Sequence, residues 1–412
     1  MSVVPPAEIT TDVPVDTGTV QHGAKAHSDG GWTNPDGSSV PVQTRSARFT
    51  SNDPADHPAV TGREAEWKLT PIDLVRPLID GELDGSAYQY ISIEGEGVRA
   101  EWVGRDDSRI GSAGAAEEKS SANAWNAFEH ALAITVTGEE HSELTITRSA
   151  FGGVAKAAHT VITATANSNG HVVLQNSGAA LLSENVEIVV EDGAHLTVVS
   201  VHEFADDAVY LASHFATVGR DATFTHIIVS LGGKVVRVNP SVHLRGEGSD
   251  GELYGLYFAD AGQHFEQRVY LHHEGANTRG RVNYKGALQG EGAHTVWVGD
   301  VLIGPDAAGT DSYEQNRNLV LTEGTRADSI PNLEIETGDI LGAGHASATG
   351  RFDDEQLFYL QARGITEPEA RRLVVLGFLS EIVQKIGQDE LQARLQAAIE
   401  AELGGATPAG NA

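Results

Sequence analysis

One histidine, His345, stands in the run Ala343-Gly344-His345-Ala346-Ser347-Ala348, among side chains too small to crowd it. Small neighbours let another backbone or a ligand come close to an imidazole, so His345 is a candidate metal ligand. The chain offers it no soft partner. None of the 412 residues is cysteine, which removes disulfides, thiolate nucleophiles and thiolate ligands together. A mixed imidazole and thiolate shell, a set known for iron and zinc, needs a sulfur from a second protein. The plainer reading of His345 is a turn histidine packed under the C-terminal tail.

The other chemistry-bearing residues form weaker patterns. The 17 histidines include no HExxH group, and His272-His273 is the one adjacent pair. On a strand those two rings point to opposite faces and cannot share an ion. The acidic pairs Glu139-Glu140, Asp206-Asp207 and Asp353-Asp354 could supply an acid and a base to a carbohydrate-cleaving enzyme. In so acidic a chain adjacent acids are ordinarily solvated turns and helix starts, and that is the preferred reading. Leu231-Gly232-Gly233-Lys234 lacks the spacing of a phosphate-binding loop.

Fifty-eight acidic against 28 basic side chains give a formal charge of −30. That field repels phosphate backbones and anionic lipid, so neither nucleic acid nor a membrane is the expected partner. No apolar run is long enough to span a bilayer, and no signal-peptide pattern opens the chain, so a cytoplasmic location is expected.

The elements that must position His345 are mostly strands. Residues 1–45, rich in Pro, Gly, Ser, Thr and Asp, read as a mobile arm. Residues 46–133 read as a helical and mixed domain. One helix there is capped by Thr70, Pro71 and Asp73 and ended by Gly81, and a second spans about 115–133. From 134 to 345 short β-branched runs recur between Gly, Asn and Asp turns, as in Val186-Glu187-Ile188-Val189-Val190. Stacked coils accommodate that length more readily than one sandwich or barrel, which makes a mainly β solenoid the expected core. Residues 346–412 turn helical. A capping box of Thr366 and Glu369 and a stop at Gly387 bound one helix, and an amphipathic helix spans 389–403.

Pro331, Leu333, Ile335, Asp339, Ile340, His345, Gly350, Leu357-Phe358-Tyr359-Leu360, Arg363-Gly364-Ile365 and Glu369-Ala370-Arg371 together form a pattern that resembles the C-terminal signature of the SufB/SufD family. Upstream, His272, Thr278, Lys285-Gly286, Gly299, Tyr313, Gln315, Asn318, Leu319 and Leu321 continue it, and Thr61-Gly62-Arg63-Glu64 with Trp67 resembles its opening phrase. Where the family often carries cysteine two residues before the histidine, this chain has Ala343. The resemblance implies a right-handed parallel β-helix (β-solenoid) with an N-terminal α/β cap and a C-terminal helical domain. It implies a non-catalytic, SufD-like subunit of the SUF iron-sulfur cluster assembly complex, paired with SufB through the solenoid. His345 would then lie at that interface beside a partner thiol. No cofactor would be bound by the chain alone, and a transient iron-sulfur cluster would be shared with the partner. The ABC-type ATPase SufC would dock on the tail, for which Phe358, Tyr359, Arg363, Arg371 and Phe378 are the candidate contacts. A homodimer, a SufB-like scaffold and a solenoid carbohydrate enzyme are the alternatives.

Overall fold

The computed structural model describes residues 48–149, 151–351 and 354–405, together with a short antiparallel pair, β1 (Trp32–Thr33) and β2 (Ser39–Val40). Apart from that pair, the expected arm over 1–45 lies outside the described residues, as does Asp353.

From Arg48 onward the chain forms one compact unit. It opens with α1 (Ile72–Asp80), β3 (Ile91–Glu94), β4 (Val98–Gly104), α2 (Lys119–Ala127), β5 (His130–Val136) and β6 (His141–Arg148). The coils continue through β7 (Gly152–Ala164), β8 (Asn169–Gly178), β9 (Ala180–Val190), β10 (His195–Phe204), β11 (Val209–Val218) and β12 (Thr223–Gly232). Then come β13 (Val235–Leu244), β14 (Asp250–Ala259), β15 (His264–His273), β16 (Arg279–Leu288), β17 (His294–Ile303) and β18 (Thr310–Val320). The last coil is β19 (Arg326–Ile335) and β20 (Ile340–Arg351), followed by α3 (Asp354–Ala362), α4 (Glu367–Val383) and α5 (Asp389–Gly405).

Strands alternate between two nine-stranded sheets, one running β20-β18-β16-β14-β12-β10-β8-β6-β3 and the other β19-β17-β15-β13-β11-β9-β7-β5-β4. Pairing is parallel throughout except at the first rungs, where β3 and β4 run antiparallel to β6 and β5. This is a parallel β-solenoid of about eight coils, the mainly β solenoid expected from the length of the strand-rich run and the parallel pairing implied by the family resemblance. Its lumen is filled by alternate side chains such as Val172, Leu196, Phe224, Leu253 and Val282.

The coils are pinned at one corner by residues in the left-handed region. Asn167, Asp221 and Asn277 alternate with Gly193, Gly248 and Gly309, all at positive φ, in successive turns. The N–H of each is bonded to a carbonyl of the next turn, as in Asp221 to Glu247 and Gly248 to Ala276. A Cβ on Gly248 would lie 2.5 Å from Asp221 Oδ1, so glycine is required between the Asx residues.

Each outer face has its own cover. Trp67, Val75, Leu78 and Ile79 pack on Val209, Leu211 and Val235 of the second sheet. Trp125 and Phe128 pack on Ala157, Val161 and Phe215 of the same sheet. A buried ionic network fastens this cover: Arg237 pairs with Glu118 at 2.7 Å and Glu266 at 3.3 Å, and its guanidinium stacks on Trp67 at 3.8 Å. On the first sheet, Val375, Leu379, Ile382, Val383 and Ile386 with Leu391, Leu395 and Ile399 cover Val199, Val201, Ile227, Val229, Leu256 and Phe258. The wide apolar surface of α4 therefore serves the sheet face.

Local expectations shift in instructive ways. Helix α1 begins at Ile72 with Pro71 in the N-cap position and no side-chain cap, and the Thr70 hydroxyl donates to buried Glu266 at 2.8 Å. Helix α2 stops at Ala127, since Ala131, Leu132 and Ala133 belong to β5, where their apolar run fills a sheet. Thr366 precedes α4 without a side-chain capping bond, and Glu369 pairs with Arg372 at 2.8 Å. Gly387 does end that segment, at a φ of 74°.

Candidate functional site at the open end of the solenoid

Strand β20 pairs with β18 on one side, and β19 with β17, so the final coil presents an open edge among the described residues. His345 lies within β20, not in a turn, and is exposed. Its register partner is Glu314. Parallel partners share a face, and Glu314 points into the lumen, where Gly299 of the opposite sheet leaves room for its carboxylate. The imidazole therefore caps the lumen's open end and is not packed under the tail. Ala343, on the same face of β20, packs partly against the lumen core. At Gly342 and Gly350 nothing lies within 4 Å of where a Cβ would be, and Leu341 is 82% exposed. An approaching backbone meets little obstruction there.

Below this rim the lumen changes from apolar to polar. Ser329 donates to Asn316 Oδ1 at 2.7 Å, Asn318 Nδ2 donates to the same oxygen at 2.8 Å, and Tyr257 donates to Asn318 Oδ1 at 2.7 Å. Asn318 also reaches Thr349 of β20 at 3.4 Å. Glu314 departs from this satisfaction, since its two buried oxygens lack a well-formed hydrogen bond, as do the Tyr284 hydroxyl and the Trp297 indole N–H nearby. Burial first, and the nearby Asp300 charge second, push its carboxyl up to about 8, against a small opposing contribution from the Asn332 backbone. Sequence reasoning missed Glu314. The signal was present in the alternation Ser312, Glu314, Asn316, Asn318, which places four polar side chains on one inward face.

Deeper in the solenoid, buried histidines are held neutral. Burial lowers His202, His214 and His273 to about 3; the Arg148 charge adds to this at the first two, while Glu184 opposes it at His202 and Asp311 at His273. His202 bonds Ser200 at 3.0 Å, and His214 bonds His226 at 3.0 Å. His273 bonds the Thr278 hydroxyl at 2.8 Å. The two rings of the adjacent pair do face opposite sides: His273 is buried and His272 half-buried.

The candidate docking residues divide. Phe358 and Tyr359 on α3 are 72% and 56% exposed, and the Arg363 guanidinium lies over the Tyr359 ring at 4.6 Å. Arg371 pairs with Glu367 at 2.9 Å one turn away. Phe378 packs against the cluster between the tail and the first sheet, with Lys285 Nζ 4.8 Å above its ring. Lys285 also binds Glu381 at 2.6 Å, so this region is part of the seam that holds the tail. The Thr61–Trp67 phrase serves as an anchor: Glu64 accepts from the Thr61 hydroxyl and from the Thr61 and Gly62 amides, which lowers its carboxyl to about 2. Of the acidic pairs, Glu139-Glu140 and Asp206-Asp207 sit exposed at bends and turns between strands.

No described helix is long and apolar enough to cross a membrane. Residues 145–378 match the model of the SUF system FeS cluster assembly SufBD core domain. An iron-sulfur cluster assembly SufBD family protein of Mycobacterium leprae is 47% identical over 379 residues, spanning 89% of this chain and 96% of that protein. One of Mycobacterium tuberculosis is 48% identical over 353 residues, spanning 83% of this chain and 89% of its own length. A second protein of that family from Mycobacterium leprae is 30% identical over 227 residues, 55% of this chain and 26% of its own. A solenoid of this build, with a match that runs from β6 into α4, belongs to the SufBD family of iron-sulfur cluster assembly proteins.

Proposed function

We propose that this chain is a non-catalytic, SufD-like subunit of an iron-sulfur assembly complex. Its open last coil would pair with a SufB-like solenoid, and its tail would dock a SufC-like ATPase. The observation that carries this reading is His345, exposed on an edge strand that is paired on one side alone among the described residues, at the mouth of the lumen, in a chain without cysteine. An edge strand with free N–H and C=O groups favours pairing with another sheet. An imidazole at that seam supplies one ligand to a transient cluster, the cargo of the complex, and the partner must supply thiolate. A SufB-like role for this chain is disfavoured because a scaffold that accepts sulfur needs a thiol of its own. ATP-driven association of two ATPase subunits, each held by one tail, would bias the solenoid pair between two arrangements and so expose or close the seam.

Isolation from the native host with mass spectrometry of associated chains tests the proposal. A cysteine-bearing solenoid and an ATPase should copurify. Recovery of the chain alone, or only with copies of itself, overturns the heteromeric reading.

A further inference from the structure

A second group of potential ligands lies away from the open end, on the outer face of the second sheet. His243 near the end of β13 and His272 near the end of β15 are register partners in adjacent coils. Glu274 follows His272 by two residues, so the strand's two-residue period returns it to the same face while His273 turns inward. His243 Nδ1 is 2.6 Å and His272 Nδ1 3.3 Å from Glu274 Oε1. One donor atom from each of the three residues falls within 4.8 Å of the others, the one such cluster among the described residues.

We propose that His243, His272 and Glu274 bind a divalent first-row transition ion of the zinc or iron class. Two imidazoles and a carboxylate are an established ligand set for both, with positions left over for water. Metal–ligand bonds of about 2.0–2.1 Å place donors about 3.0–3.4 Å apart. The His272 to Glu274 separation already fits, and the His243 to Glu274 hydrogen bond needs to open by less than an ångström. The three side chains are 24%, 21% and 32% exposed, which admits an ion from solvent while leaving little competing water.

The surroundings favour the site on three sides. His243 Nε2 faces Ser241 Oγ at 3.5 Å, and that hydroxyl donates to Glu117 Oε1 at 2.5 Å, so the Ser241 oxygen can accept the ring proton at Nε2 when an ion displaces the Nδ1 proton now shared with Glu274. Arg48 in turn holds Glu117 at 2.7 Å. Arg245 Nε lies 3.5 Å from the other Glu274 oxygen and orients the carboxylate without occupying Oε1. Gly304 in the next coil keeps the space beside His272 clear, since even a Cβ there would lie 3.4 Å from Nε2. This inference does not rest on the cluster-assembly reading.

Cobalt(II) titration of the purified, tag-free chain, followed by visible absorption, tests it. The wild type should develop d–d bands that saturate near one equivalent. His243→Ala/His272→Ala should lose them, and Glu274→Gln and Ser241→Ala should each bind at least about tenfold more weakly. Circular dichroism reports folding; should the double variant fail to fold, Glu274→Gln decides by the same criterion. An absence of bands in the wild type, or unchanged binding in the folded variants, overturns the proposal.

Discussion

Glu314 and His345 are register partners on adjacent strands: a buried carboxyl at about 8 lies one coil inward from an exposed imidazole on the same face. The last coil thus stacks a group that avoids charge against one that is free to take a ligand.

Between the ordinary glutamate value near 4.5 and about 8, folded Glu314 keeps a proton that the unfolded chain has released. Stability therefore falls as pH rises through this window, by up to about 1.4 kcal/mol per pH unit from this group. Glu314→Gln removes the dependence. The melting temperature of the variant should match the wild type near pH 4.5 and exceed it by several degrees at pH 8. A difference that stays constant from pH 5 to 9 would show that the carboxyl titrates normally.

Arg148 and Glu184 form the opposite case within the same lumen. Burial alone would raise the Glu184 carboxyl, but Arg148 at 2.5 and 2.9 Å, with Tyr210 at 2.8 Å, outweighs it and leaves the carboxyl below its ordinary range. That stabilisation is present above the unfolded value and lost as pH falls through the folded one. Arg148→Met strands the carboxylate and should cost about 3–5 kcal/mol. Arg148→Met/Glu184→Leu should recover much of it in urea denaturation. A double variant as unstable as the sum of the singles would deny the coupling.

The contrast between these two glutamates marks how far sequence reasoning reaches. Short β-branched runs between turn residues encode the strands, because period-two alternation needs no tertiary knowledge, but choosing a solenoid over a sandwich or barrel takes the length of the run and the family resemblance as well. Coil register is less visible. The ladder of Asn167, Gly193, Asp221, Gly248, Asn277 and Gly309 is written in the sequence, yet as alternating residue types its repeat does not read as a motif. Glu314 and Glu184 face the same lumen, and only the coil above or below decides whether a guanidinium is within reach. His345 was legible as an approachable residue from its small neighbours. Its place on an edge strand depends on nothing further stacking beyond β20, which no local pattern records. The same limit hid β3 and β4, whose antiparallel pairing closes the other end.

His345→Ala removes an exposed ring that holds no buried partner, so its effect on stability should stay within about 0.5 kcal/mol. Copurification with partner chains should persist while cluster formation on the isolated complex, followed by its visible absorption, falls sharply. Unimpaired assembly in the variant would take His345 out of the mechanism.

The tail contains two kinds of apolar residue, and separating them tests the docking role. Leu379 is fully buried against the first sheet, so Leu379→Ala should cost about 2–5 kcal/mol, and any loss of the ATPase would follow from a loosened tail. Phe358 is 72% exposed on α3 and contributes little to folding. Phe358→Ala/Tyr359→Ala should leave the melting temperature within about 2 °C of the wild type, as surface changes do, yet reduce ATPase recovery in pull-down at least tenfold. Deleting residues from 351 onward is a cruder probe, because it strips the cover from Val199, Val201, Ile227, Val229 and Phe258 and should provoke dye binding and self-association even though β circular dichroism persists. Full ATPase recovery by the Phe358 and Tyr359 variant would move the docking surface off α3, toward the α4 flank that carries Arg371.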